Sequence, residues 1–115
     1  MSDINVPELI KKISWVVNDS DNGTYDPLVD MVPNINAGAR YIRSIRTEAC
    51  QDSSGDDLAY TPISTATGTM TLDDKWIEPL TDFVAARLCQ RDGQQIGMRQ
   101  RADMHMASFA ALIRL

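Results

Sequence analysis

The chain has 115 residues, the length of one domain, and it can bury roughly two-thirds of its unfolded surface without disulfides. Apolar residues make up 43% and charged residues 23%, ordinary globular proportions that exclude disorder along the whole chain. Eleven basic against sixteen acidic side chains give a net charge of −5, which argues against a protein built to grip nucleic acid through phosphates, and no apolar run approaches the ~20 residues of a membrane span.

The first helix is announced by Asn5-Val6-Pro7-Glu8. Asn caps, Pro suits the first turn, and Glu three residues after Asn completes a capping box. Ile10, Ile13 and Val17 follow at helical spacing, which predicts a helix over about 6–18. No charged-then-apolar leader precedes it, so secretion is not expected. The run from Asn18 to Gly23 then reads as a turn. It does not fit a calcium loop: counted from Asp19, the fifth position is Gly23, where a ligand is required.

Asp26-Pro27 is another cap-and-first-turn pair, opening a short helical turn through Leu28, Val29 and Val32. Pro33 predicts a break or kink before a second helix over about 33–47. Ile35, Ala39, Ile42 and Ile45 form its apolar stripe, and Gly38 beside Ala39 allows a partner helix close approach. Arg40, Arg43 and Arg46 recur along another strip. They suit phosphate, acidic groups on a neighbour, or plain solvation near a helix C-terminus.

Residues 48–72 read as an extended arm or a short β-hairpin, because Thr, Tyr and Ile alternate while Pro62 and Gly68 limit regularity. So long a helix-free stretch in a small domain is more often a contact element than an idle one; plain mobility is the alternative. A third helix, about 74–91, carries Trp76, Leu80, Phe83, Val84 and Leu88, with acids at its start and Arg87 and Arg91 at its end. Pro79 requires a place in its first turn. A fourth helix, about 95–113, presents Met98, Ala102, His105 or Met106, Phe109 and Leu112 or Ile113 on one face. Gly97 weakens its start, and the apolar run Ala107 to Ile113 is expected to be buried. The fold class is therefore mainly α: a small four-helix bundle with an extended loop or short β-hairpin between the second and third helices.

Chemistry-bearing groups are sparse. His105 has no second His and no nearby Cys, so it reads as structural or surface. Cys50 and Cys89 belong to no CxxC or Cys/His set and read as reduced thiols, a single disulfide being the alternative. The pairs Asp56/Asp57 and Asp73/Asp74 lie in a loop and at a helix start. No cofactor, metal or enzymatic activity is expected. A helix-turn-helix reading places Gln95, Arg99 and Arg101 at the start of a recognition helix, but the chain's charge and the apolar second half of that helix oppose it. Charge is uneven: residues 1–74 hold 5 basic and 12 acidic side chains, and residues 75–115 hold 6 and 4.

Met70-Thr71-Leu72-Asp73-Asp74-Lys75-Trp76 leads into Leu80-Thr81-Asp82-Phe83-Val84-Ala85-Ala86-Arg87-Leu88, followed by Arg91-Asp92, Gly97, Gln100-Arg101-Ala102, His105 and Phe109. With the upstream run from Asn34 to Ile42, this pattern over about residues 30–113 resembles the small head–tail adaptor (connector, or head-completion) proteins of tailed bacteriophages. Pro79 and the short 48–70 segment depart from the family pattern. The resemblance implies a single structural domain over 1–115 that forms a ring, usually twelve-fold, beneath the portal protein in the virion neck after assembly in the host cytoplasm. Such a ring extends the channel for double-stranded DNA, without sequence specificity, and seats the tail proteins. An acidic lumen would let DNA slide, and unlike faces would pair head to tail. The residues expected at the portal or subunit interface are Phe109, Leu112, Ile113, Arg114 and Leu115, with Arg40, Arg43 and Arg46; for Leu112 and Ile113 the alternative is the domain's own core. Those expected to touch the tail or a neighbour are Asp56, Asp57, Tyr60, Thr61, Ile63 and Thr67. The rival readings are a small helical DNA-binding regulator and a phage assembly factor absent from the particle.

Overall fold

The structure, a computed structural model, describes residues 3–17, 25–51, 56–91 and 97–114. Strand β1 (Asp3–Asn5) runs directly into helix α1 (Val6–Val16). The predicted cap forms: Asn5 Oδ1 accepts the Glu8 amide at 3.0 Å. Val6, Leu9, Ile10 and Ile13 are buried, while Lys11, Lys12 and Trp15 face outward. The turn expected over 18–23 lies outside the described residues.

Asp26 caps the next segment through Oδ1, which accepts the amides of Leu28 and Val29, both at 2.9 Å. That segment is a π turn, Pro27–Met31, which passes without interruption into α2 (Val32–Ile45). The wide turn resolves the problem set by Pro33. In a regular helix its ring would crowd the carbonyl four residues back, and a π turn at that point moves the carbonyl aside. Ile35, Gly38, Ala39 and Ile42 form the buried face of α2. A Cβ placed on Gly38 would lie 2.7 Å from Leu80 Cδ1 and 2.8 Å from Phe83 Cδ1, so the close approach read from the sequence is real.

After a 3-10 turn at Thr47–Cys50 the chain is extended. Leu58 donates its amide to the Cys50 carbonyl, and Gln51 bridges Asp57. Strand β2 (Thr69–Asp73) then pairs antiparallel with β1, with Ile4 opposite Met70 and Asn5 opposite Thr69. The extended loop between the second and third helices is therefore present. The partner of its strand, however, is residues 3–5 and not a second run within 48–72. The physical reason is local: both backbone groups of Ile63 are already bonded to the Asn36 side chain and are not available to a ladder. Ile4, Met70 and Leu72 point from this ribbon into the core.

Asp73 accepts the Lys75 amide at 3.0 Å and caps a 3-10 turn, Asp74–Trp76, that leads into α3 (Ile77–Arg91). Pro79 sits in the first turn of α3, where no backbone donor is required. α3 is buried on nearly all sides and is the central helix of the domain. α4 (Met98–Arg114) folds back along α3, the most extensive helix pair in the molecule. Gly97 stands before α4 with φ of 83° rather than inside it, so its glycine serves a left-handed turn instead of weakening a helix. Residues 92–96, which include the expected start of this helix at 95, lie outside the description.

Tyr41, Phe83 and Phe109 knit α2, α3 and α4 together, with ring centroids 5.2–5.9 Å apart. Cα extents of 46 × 29 × 17 Å describe a plate two helix layers thick, since packed helices sit about 8–10 Å apart. A plate so thin leaves its edge helix open on one side, and α4 is that helix: only Ala102, Phe109 and Ile113 are fully buried.

Candidate functional site

The extended arm is strapped to α2. Asn36 Nδ2 donates to the Ile63 carbonyl at 2.9 Å, and its Oδ1 accepts the Ile63 amide at 2.9 Å and the Tyr60 hydroxyl at 2.5 Å. One turn and two turns further on, Arg40 and Arg43 lie 5.8 and 5.6 Å from the Tyr60 ring centre. Arg43 also donates to the Leu58 carbonyl at 2.6 Å. Burial pushes the Tyr60 phenol up from its ordinary pKa, and the two guanidinium charges oppose that rise. Asp56, Asp57, Thr61 and Thr67 remain exposed along the arm, whereas Tyr60 and Ile63 are half-buried anchors.

Asn36→Ala removes three hydrogen bonds worth about 1 kcal/mol each, discounted because water reaches this surface. The expected result is a loss of about 1–2 kcal/mol, with hydrogen exchange at the Ile63 amide accelerating well before global unfolding. Unchanged protection at Ile63 would show that Asn36 is not the anchor.

The arginine strip is used inside the chain. Arg46 clasps Glu48, with Nε at 2.8 Å and Nη2 at 2.5 Å from Oε1, and reaches the Ile113 carbonyl at 3.3 Å, satisfying one open acceptor at the end of α4. Glu48 is held below its ordinary pKa by a hydrogen bond from its own backbone and then by Arg46. Arg43 is committed to the arm. Arg40 is exposed apart from its contact with Tyr60. Of the residues expected at an interface, Phe109 and Ile113 are corrected to core positions, 2% and 5% exposed, because the Tyr41–Phe83 pocket and α3 take them. Leu112 is 38% exposed and Arg114 is exposed. Leu115 lies outside the described residues. The expected burial of 107–113 is also corrected: Ala107, Ala111 and Leu112 face outward, and Met104 one turn earlier is 61% exposed.

His105, Asp82 and Ser108 pin α4 to α3. His105 Nδ1 lies 3.0 Å from Asp82 Oδ1, and the Ser108 hydroxyl donates to Asp82 Oδ2 at 2.7 Å. Ser108 bonds the carboxylate and not the imidazole, so the trio lacks the serine-to-base contact that activates a nucleophile. The structural reading of His105 fits this geometry. Arg101 donates to the Val16 carbonyl at 2.9 Å and so closes the end of α1. Neither Cys50 nor Cys89 takes part in a disulfide. Among the described residues no group of His, Cys, Asp and Glu is placed to hold a metal ion, and no helix is long and apolar enough to cross a membrane.

The Asp74 carboxyl is raised from its ordinary value, chiefly by a hydrogen bond to Asp73, with desolvation and the Asp73 charge adding to the effect. A carboxyl raised in the folded state favours folding at low pH: that contribution is whole below the ordinary value and is lost as pH rises through the raised, folded-state value. Asp74→Asn is therefore expected to raise the melting temperature slightly at pH 7 and not at pH 3. Equal effects at both pH values would refute the assignment.

The strap and the α3–α4 pin depend on Asn36 and Asp82, polar residues inside helical patterns that periodicity reads as solvent-facing. Trp15, standing off the apolar stripe of α1, is the one signal that would have marked an outer surface. Comparison with protein-family models, with curated proteins and with solved structures returns no match.

Proposed function

We propose that this chain is a structural subunit of the phage neck, a head–tail adaptor that forms a ring beneath the portal protein, extends the DNA channel and seats the tail. The observation that carries this reading is the open face of α4. Met104, Ala107, Ala111 and Leu112 leave a large apolar fraction of an edge helix uncovered, and apolar surface of that kind marks a protein-binding face. The strapped arm adds a second, rigid and largely exposed element on α2. The resemblance of the pattern over about 30–113 to the adaptor proteins supports this reading. Leu112 and Arg114 dock on the portal in this reading, while Asp56, Asp57, Thr61 and Thr67 meet the tail or a neighbouring subunit. DNA passes through the ring and is not read. The DNA-regulator reading is disfavoured by Arg101, whose guanidinium is turned inward to α1.

Electron microscopy of the chain mixed with its portal tests the proposal, and a ring of the portal's symmetry is the expected image. Absence of the chain from purified particles would overturn it. So would tight, salt-sensitive binding to duplex DNA at micromolar protein.

A further inference from the structure

The arm is fastened to the domain by backbone at its two ends and by side chains in between. The Leu58 amide donates to the Cys50 carbonyl at 2.6 Å, and the Gly68 carbonyl accepts the Val6 amide at 2.9 Å. No residue from 59 to 67 is fully buried; Tyr60, Ile63 and Ala66 are half-buried. Such a stretch can lift without unfolding the helices, because little apolar surface is uncovered when it does. What holds it down is the set of bonds at Asn36.

The Asn36 amide has no freedom left. Its Nδ2 donates to the Ile63 carbonyl and its Oδ1 accepts the Ile63 amide, both at 2.9 Å, and these two partners fix which end of the amide faces Tyr60. The end presented is the oxygen. It lies 2.5 Å from the Tyr60 hydroxyl, so the hydroxyl is the donor. A phenolate cannot make this bond. Its oxygen would meet the Asn36 Oδ1 at contact distance, and the amide cannot turn its nitrogen toward it without breaking both bonds to Ile63. Among the described residues the charged groups that act on the phenol are Arg40 and Arg43 of α2, 5.8 and 5.6 Å from the ring centre. They favour the phenolate, but burial outweighs them and keeps the proton on above the ordinary phenol value. A group raised in this way adds to stability below its ordinary value and gives that contribution up as pH rises through the folded-state value.

We propose that Tyr60 is a proton-operated latch: the arm lies on α2 while the phenol keeps its proton, and lifts, with the four helices still packed, when the proton leaves. Lifting uncovers the guanidiniums of Arg40 and Arg43, which pack on the Tyr60 ring while the latch is shut. The latch does not depend on the adaptor reading.

Methyl NMR of the full chain, titrated upward through the ordinary phenol value of about 10, tests the latch. In the wild type the Ile63 methyl is expected to reach its random-coil position in one step, at the pH where the Tyr60 ring itself titrates, while the methyls of Ile13 and Leu80 in the core stay where they are. In Tyr60→Phe, whose ring keeps its contact with both arginines, that step should vanish. At neutral pH the order reverses: the variant lacks the latch bond, so its Ile63 amide should exchange about 5-fold faster than in the wild type. The wild-type titration by itself decides whether the arm lifts separately. An Ile63 methyl that leaves its folded position only together with Ile13 and Leu80, or that stops short of the random-coil position once Tyr60 is ionised, overturns the proposal. So does a step that survives in Tyr60→Phe, or an Ile63 amide that exchanges no faster there at neutral pH.

Discussion

Phe109→Ala is expected to destabilise the domain by about 3–5 kcal/mol, the usual cost of removing a buried aromatic ring. Phe109 is 2% exposed and touches both Phe83 and Tyr41, so its loss opens a cavity where three helices meet. Urea unfolding measures the effect directly. Leu112→Ala, three residues on, is the paired control: Leu112 is partly exposed, and its removal should change stability by less than about 1 kcal/mol. In the adaptor reading the two effects on portal binding are reversed, with Leu112→Ala weakening binding by a folded protein. A stable Phe109→Ala protein that has lost only its partner would mean that the ring faces outward.

Gly38→Val should cost about 3 kcal/mol, a fall of roughly 10 °C or more in melting temperature for a domain of this size. Helix propensity alone predicts the opposite sign, since glycine inside a helix is about 1 kcal/mol worse than alanine. Packing decides the outcome. The new Cβ would lie within 2.8 Å of both Leu80 and Phe83, and Phe83 is held between Tyr41 and Phe109. Leu80 can turn its end away; the ring cannot do so without disturbing its two neighbours. Gly38→Ala therefore gives the sharper sign test, with a net loss of about 1 kcal/mol expected after the propensity gain is subtracted. A rise in melting temperature would show that α2 and α3 are not in close contact.

The four helices were legible because each buries a stripe with helical period and carries local punctuation. Asn5 and Pro7 mark the first, Pro33 the second, Pro79 the early turn of the third. Their boundaries fall within a few residues of expectation, and Gly97 marks the turn before the fourth. The long-range pairing of β1 with β2 was not legible, because three residues are too few for alternation to stand out. The arm's strap was hidden for a different reason. Asn36 acts through a side chain that bonds backbone 27 residues away, and backbone acceptors leave no trace in residue type. Phe109 and Ile113, expected at an interface, lie in the core, because periodicity shows that a face is apolar and not whether the cover is the protein's own core. It also overstated the burial of Ala107, Ala111 and Leu112, which lie around the helix from that face.

The β1–β2 ribbon constrains the order of events while the chain is being made. Val6 donates its amide to the Gly68 carbonyl at 2.9 Å, and Asn5, the cap of α1, is opposite Thr69. Until Gly68 and β2 have left the ribosome, the first helix has its cap but nothing to fix its leading end. Nascent α1 should then be a fluctuating helix, short enough to be marginal alone. A stalled chain ending shortly before Gly68 should expose it to protease, and one extending past α3 should shield it.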